Sequence, residues 1–288
     1  MKNLLFMLDT DDIPNSFDVV VAYDGGADSV TPLGGMNPDT VGKILDGAIF
    51  TRSPKTKKHT ALFVTGTDMS AGEELLKAVK KHFFSNFRVS VMLDSNGSNT
   101  TAAAAAACIT RDVDVSGKKA VVLAGTGPVG QRAGVMLAKE GAEVVLTSRK
   151  LERAEAAAEH INSAFGTDLT GAAASTPEET RAVLEGAQVV FATGAAGVQL
   201  LDEAAWQNHE TLEILVDANA TPPLGIEGVD MMDRGKERHG KICYGAIGFG
   251  ALKLEVHRAC IGQLFEANDQ VFDAEEIYAI AKKRVEDY

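Results

Sequence analysis

Residues 120–150 read AVVLAGTGPVGQRAGVMLAKEGAEVVLTSRK. An apolar run, Ala120–Ala124, meets Gly125, Gly127 and Gly130 in the pattern G-x-G-x-x-G, with Thr126, Pro128 and Val129 between them. A helical pattern from Pro128 to Lys139 and a second apolar run, Glu143–Thr147, follow. Each glycine has a physical reason. Gly125 permits the tight strand-to-helix turn, Gly127 leaves room for a pyrophosphate against the backbone, and Gly130 lets the helix pack close to its strand. The free N–H groups and positive dipole end of the helix then face the anion. The triplet alone is weak, and a plain structural glycine turn is its alternative. The order strand, turn, helix, strand is what makes it a dinucleotide-binding signal.

The second run ends in Ser148-Arg149-Lys150. A site for NAD carries Asp or Glu here, about 20 residues past the glycines, to accept from the ribose 2′-OH. A hydroxyl and two cations instead donate hydrogen bonds and charge to a 2′-phosphate. The expected cofactor is therefore NADP. The competing reading is a solvated helix start.

Outward from this motif, the 288 residues suit about two domains. Hydrophobic residues at 45% and charged residues at 24% exclude a disordered chain. With 28 Lys+Arg against 40 Asp+Glu, the net charge of −12 argues against a nucleic-acid partner. Cys108, Cys243 and Cys260 have neither metal nor redox spacing, which suits a reducing cytosol. The apolar start Leu4–Leu8 runs into Asp9, Asp11 and Asp12, too short for a signal segment, and no run approaches a membrane span. A cytoplasmic protein with no bound metal is expected.

The first third alternates short apolar runs with helical patterns. Leu4–Leu8, Val19–Tyr23, Ala61–Thr65 and Arg88–Leu93 read as strands, and Ser70–Phe84 as an amphipathic helix. Six alanines, Ala102–Ala107, predict a helix that links two domains and packs tightly, with a surface helix as the alternative. Arg111–Lys119 reads as a linker. Beyond the glycine motif come a helix at Leu151–Phe165 and strands at Gln188–Thr193, Glu213–Asp217 and Lys241–Gly245. The last part of the chain reads as mainly helical. Such alternation defines an α/β fold with parallel sheets.

Further strings carry a resemblance. FDVVVAYDGGAD (17–28), LDSNGSNTTAAAA (93–105), AWQN (205–208), PPLGIEG (222–228), GAIGFGALK (245–253) and HRACI (257–261) stand around the glycine loop. Together they resemble the NADP-dependent methylene-tetrahydromethanopterin/methylene-tetrahydrofolate dehydrogenases of methylotrophic bacteria, over essentially the whole chain. The resemblance implies a Rossmann-type parallel-sheet cofactor domain, 109–257, and a second α/β domain for pterin and oligomerisation, 1–108 with 258–288. The pterin would lie between them. It also implies hydride transfer from the methylene bridge to NADP+ in one-carbon and formaldehyde metabolism, by a homo-oligomer (trimer or hexamer). Loss of hydride leaves a cation delocalised over N–C–N with no proton to remove, so orientation and water exclusion matter more than a general base.

Candidate pterin contacts are Asp94, Asn96, Ser98, Asn99 and Thr100, which can equally cap the helix after them. Tyr23 and Asp24 lie in a Gly-rich stretch, where Asp24 can bind an amidine edge or stabilise a turn. Lys253 is the catalytic candidate by similarity, against a solvent-exposed lysine. Thr193, Gly194, Ala195, Asn219 and Gly248 join the cofactor set from the loops after strands.

Other features read as structural. Tyr278-x-x-x-Lys282 suits helix packing, His257 a buried histidine, and the basic stretch Arg52–His59 a solvated loop. Two other functions remain open: a shikimate-dehydrogenase-like NADP oxidoreductase, and a non-catalytic NADP-binding regulator. The first requires a Lys/Asp acid–base pair in the first domain, and no spacing there supplies one.

Overall fold

The computed structural model describes all 288 residues, Met1–Tyr288. In chain order the elements are β1 Leu4–Asp9, α1 Ser16–Asp24, β2 Ser29–Leu33, α2 Gly42–Phe50, β3 Thr60–Thr65, α3 Met69–His82, β4 Ser90–Leu93 and α4 Ser98–Asp112. There follow β5 Lys119–Leu123, α5 Pro128–Lys139, β6 Glu143–Ser148, α6 Leu151–Phe165, β7 Thr170–Ala173, α7 Pro177–Leu184, β8 Ala187–Ala192 and α8 Glu203–Trp206. The chain closes with β9 Ile214–Asp217, β10 Arg234–Arg238, β11 Lys241–Tyr244, α9 Ala246–Gln263, β12 Val271–Phe272 and α10 Ala274–Val285.

The chain forms two compact units, Met1–Thr100 with Leu254–Ile280 and Thr101–Lys253 with Ala281–Tyr288. The sequence had set the divisions after residues 108 and 257. The structure sets them within α4 and within α9, and α10 also crosses from one unit to the other.

The first unit holds a five-stranded parallel sheet, ordered β12-β4-β3-β1-β2. Every residue of β3 and β4 is buried, as strands covered on both faces must be. The core gathers Leu45, Leu62, Val64, Leu75, Val79 and Val91 around this sheet.

One strand expectation fails here. Val19–Tyr23 lies in helix α1. Three consecutive valines favour a strand on propensity. Local hydrogen bonding and burial override it: Asn15 Oδ1 caps the helix by accepting from Phe17 N at 2.9 Å. Asp18, Val21 and Ala22 turn inward at helical spacing. The basic stretch Arg52–His59 is solvated at Ser53, Pro54, Lys55 and Lys58, but Lys57 is buried, with Nζ donating to Asn86 O at 3.1 Å and lying 4.3 Å from the Phe87 ring centroid.

The second unit holds seven strands ordered β10-β11-β9-β8-β5-β6-β7, parallel except for the antiparallel pair β10–β11. From β5 the chain steps first to β6 and β7 on one side, then to β8 and β9 on the other. The order therefore reverses between β5 and β8, and ligands of open α/β sheets bind at the carboxyl ends of strands flanking such a point. The single tryptophan, Trp206, is fully buried in this core and donates to Glu227 O at 2.8 Å.

Helix α4 carries Ala102–Ala107, and all six are fully buried. Six consecutive residues of a helix point in every direction around its axis. Burial of all six therefore means that protein surrounds this stretch, and alanine is what lets its neighbours come close. The surface-helix alternative falls. Replacing Ala104 by Leu should lower unfolding stability by about 1–3 kcal/mol through overpacking, which a urea titration would measure.

Candidate functional site

At the end of β5 the chain turns sharply. Ala124 adopts a left-handed conformation, φ 52°, with its amide donating to Thr147 Oγ1 at 3.0 Å. Gly125 N then donates to Thr147 O at 2.9 Å, fastening the turn to the end of β6. A methyl group on Gly125 would stand 2.8 Å from Val122 O, and one on Gly130 would stand 2.6 Å from Gly125 Cα. Both glycines are thus required by the protein's own packing.

Gly127 differs. Its φ of −81° is open to any residue, and a Cβ there would meet no protein atom within 4 Å. Nothing in the polypeptide demands glycine, and its bare backbone leaves room for a ligand to lie against it. No side chain caps α5, and Pro128 at its start brings no N–H. The first-turn amides remain for an incoming anion, the arrangement that holds a pyrophosphate. The residues present therefore fit a dinucleotide.

Beside this turn lies a cavity of about 300 Å³. It gathers Thr126 from the glycine loop, Ser148 and Arg149 from the end of β6, and Gly194 and Ala195 from the loop after β8. Thr193 ties that loop down, its amide donating to Leu123 O at 3.0 Å and its hydroxyl donating to the same oxygen at 3.1 Å. Sequence reasoning missed Arg153, which also lines the cavity; its signal was the four-residue step from Arg149. No carboxylate lines this cavity. Lys150 is exposed and outside its lining.

Asn219 is buried and braces neighbouring loops. Its Oδ1 accepts from Thr221 N at 2.9 Å, and its Nδ2 donates to Pro223 O at 3.1 Å. Asp217, at the end of β9, accepts from Asn219 N and Ile226 N, each at 2.9 Å. Burial raises its carboxyl above the usual range, and these amides pull the other way. At Gly248 a methyl group would collide with Asp233 O, so packing against protein backbone accounts for that glycine.

In the first unit, the residues after β4 form a buried turn. Asp94 accepts from Thr100 N at 3.0 Å and from Thr100 Oγ1 at 2.6 Å. Ser98 Oγ donates to Ser95 O at 2.6 Å, and Asn99 Nδ2 donates to Leu93 O at 2.7 Å. These side chains build and cap the start of α4. Asn96 stands apart: it is exposed and held in the left-handed region, φ 53°. His257 is fully buried, edge-on to Phe63 with ring centroids 5.3 Å apart and its Nδ1 3.9 Å from Asp94 Oδ2.

Tyr23 and Asp24 are exposed at the end of α1, not in a loop after a strand, and Asp24 pairs with Arg258 at 3.0 Å. Lys253 is half-buried on α9. Of the Tyr278/Lys282 pair, Tyr278 is buried and Lys282 contacts Glu140 Oε1 at 2.5 Å, as helix packing requires. All three cysteines are buried, which pushes Cys108 and Cys243 up to about 12 and Cys260 upward as well. None is a nucleophile at neutral pH.

These features define a class. Residues 113–226 match a family model described as putative NAD(P)-binding. Two solved structures share the two-domain α/β fold. One is quinate dehydrogenase from Corynebacterium glutamicum in complex with NAD (TM-score 0.53, 14% identity, 97% of this chain and 98% of that one). The other is shikimate 5-dehydrogenase from Listeria monocytogenes in complex with shikimate and NAD (TM-score 0.52, 13% identity, 97% and 96%). At such identities the likeness is one of fold. The chain is a two-domain α/β protein with a Rossmann-type NAD(P)-binding domain.

Sequence relatives go further. Residues 16–96 match the model described as methylene-tetrahydromethanopterin dehydrogenase, N-terminal. The bifunctional protein MdtA of Methylorubrum extorquens is 56% identical over 98% of this chain and 99% of its own length. The NAD(P)-dependent methylenetetrahydromethanopterin dehydrogenase of the same organism is 29% identical over 97% and 98%. The chain belongs to this methylene-tetrahydromethanopterin dehydrogenase family.

The two kinds of glycine separate experimentally. Gly130→Ala should destabilise the fold by about 1–3 kcal/mol. Gly127→Ala should change stability by no more than about 1 kcal/mol, yet weaken dinucleotide binding at least about tenfold by excluding the pyrophosphate. Thermal melts and calorimetric titration of each variant would show whether the effects divide this way.

Proposed function

We propose that the protein is an NADP-dependent dehydrogenase. It would take hydride from the methylene bridge of methylene-tetrahydromethanopterin or methylene-tetrahydrofolate and leave the methenyl form, in one-carbon and formaldehyde metabolism. Family membership supports the pterin class. The choice of NADP over NAD rests on one observation: Ser148, Arg149 and Arg153 line the cavity at the end of β6, and no carboxylate does. An acidic side chain there would accept from a 2′-OH and repel a 2′-phosphate; a hydroxyl and guanidinium groups do the reverse.

When bound, NADP+ supplies the hydride acceptor. The chain's own residues have the remaining tasks. The amides at Gly125–Gly130, with Thr126, Pro128 and Val129 at the turn, hold the pyrophosphate. Ser148 and Arg149 hold the 2′-phosphate, with Lys150 adding charge nearby. Thr193, Gly194 and Ala195 border the ribose, while Asn219 and Gly248 fix the neighbouring loops. Lys253 orients the substrate through a carbonyl or anionic group. Asn96, beyond the carboxyl end of β4, is exposed to meet the pterin; Tyr23 and Asp24 lie by the amino ends of β1 and β2, at the other end of this parallel sheet, and do not join it there. Asp94, Ser98, Asn99 and Thr100 act by shaping the turn that presents Asn96. No general base is needed, because no proton leaves the reacting carbon.

The three thiols are unbridged, as a cytoplasmic setting would leave them. No helix is long and apolar enough to cross a membrane. A homo-oligomer, trimer or hexamer, would have apolar surface to use: Ile13, Phe17, Val20 and Tyr23 are all exposed along α1 and the turn before it.

Incubation with methylene-tetrahydromethanopterin and NADP+ should raise absorbance at 340 nm. Binding without turnover would instead indicate a regulator, and turnover of shikimate or quinate a different dehydrogenase. Arg149→Ala should weaken NADP+ about tenfold or more while leaving NAD+ unchanged. Equal affinity of this variant and the wild type for NADP+ would remove the assignment. Lys253→Ala should lower kcat without changing the Kd of NADP+, and an unaltered rate would take Lys253 out of the site.

A further inference from the structure

A second cavity, also about 300 Å³, adjoins the first and shares Arg149, Ala174, Thr180, Val198 and Leu200 with it. Its own cation is Arg181, on α7. We propose that Arg181 is a specificity-determining residue for the 2′-phosphate, approaching it from α7 as Arg149 approaches it from the end of β6. The proposal rests on the NADP reading and deepens it.

The charge on Arg181 is unanswered within the protein. Arg181 has acidic neighbours in sequence, and none of them takes it. Glu179 is held by the helix cap, where it accepts from Ser175 N at 2.7 Å and Ser175 Oγ at 2.5 Å. That hydrogen bonding keeps its carboxyl below the usual range and so ionised. Glu185, four residues on and correctly spaced for a helical ion pair, makes none with Arg181. The cavity's single acidic residue, Asp202, accepts instead from Gln199 Nε2 at 2.7 Å. Arg149 likewise has no carboxylate partner. In a chain with twelve more acidic than basic residues, three arginines on adjoining cavities, Arg149, Arg153 and Arg181, are left for an anion from outside.

The charge of that anion fits. A phosphate monoester carries about −1.5 to −2 at pH 7, so a single guanidinium leaves it under-compensated; Arg149 and Arg153 bring charge from the end of β6 and the start of α6, and Arg181 brings it from a separate element, α7. The apolar walls formed by Leu200, Leu201 and Ala205 reduce water access and strengthen each pairing. Specificity would then be set by two structural elements, and β7 would serve to place α7 within reach.

Affinities for NADP+, NAD+ and the fragment adenosine 2′,5′-bisphosphate, measured by calorimetry on wild type, Arg149→Ala, Arg181→Ala and Arg181→Lys, test this. Arg181→Ala should weaken NADP+ and the bisphosphate about tenfold or more and leave NAD+ unchanged, with Arg181→Lys between it and wild type. The side chain is exposed, so melting temperatures should match and the fold should persist. If Arg181→Ala keeps the wild-type NADP+/NAD+ ratio while Arg149→Ala loses it, the NADP reading stands and the role given to Arg181 is overturned. If wild type binds NAD+ as tightly as NADP+, the NADP reading falls, and this inference with it.

Discussion

The close seating of α5 on β5 is the constraint on which the cofactor unit depends. At Gly130 the helix comes so near the turn that a single methyl group would collide with Gly125. Gly134, one turn further, would place a methyl 2.7 Å from Leu169. These contacts fix the helix axis, and the axis aims the first-turn amides. An α5 raised by one side-chain layer would still be a helix over a sheet, but its N–H groups would miss the place where Gly127 opens the backbone. Gly125 and Gly130 are therefore fixed by packing, while Gly127 in the same short loop is left open.

The charge arrangement follows a similar logic. The protein is strongly acidic overall, yet Arg149 after β6, Arg153 on α6 and Arg181 on α7 line cavities where no carboxylate pairs with them. Elsewhere the acids are engaged: Glu179 in a helix cap, Asp202 with a glutamine, Asp94 with Thr100. Net charge points away from phosphate, and only the local arrangement reveals cations without acidic partners.

Much of this was legible in the sequence because local signals agreed there. The helices Pro128–Lys139 and Leu151–Phe165 carry their own limits, a proline at the first position of one and Gly166 beyond the end of the other. Five of the seven strands of the Rossmann-type sheet announced themselves as short apolar runs; β7 (TGAA) and β10 (RGKER) lack large apolar residues and gave no such signal. Val19–Tyr23 gave a false one, because propensity pointed to a strand while the Asn15 cap and the inward pattern Asp18–Val21–Ala22 decided for a helix. The residues after β4 were visible as a polar cluster, but whether such side chains meet a ligand or their own backbone depends on burial. Arg181 was hidden for the opposite reason: it sits on a helix that sequence reading did not assign, beside a loop from elsewhere in the chain.

The path of the chain bears on how the protein is made. Strand β12 pairs with β4 through Val271↔Val91 and Phe272↔Met92, partners separated by 180 residues. Emerging from a ribosome, the first unit must wait with that edge of its sheet open until Val271 and Phe272 have been made. The Rossmann-type unit, by contrast, has all seven of its strands once Tyr244 has been synthesised. Long-range pairing of this kind is slow and exposes unpaired strand edges. The middle of the chain can thus be folded while its beginning is still incomplete, and a chain cut short before Val271 would leave β4 as an open edge.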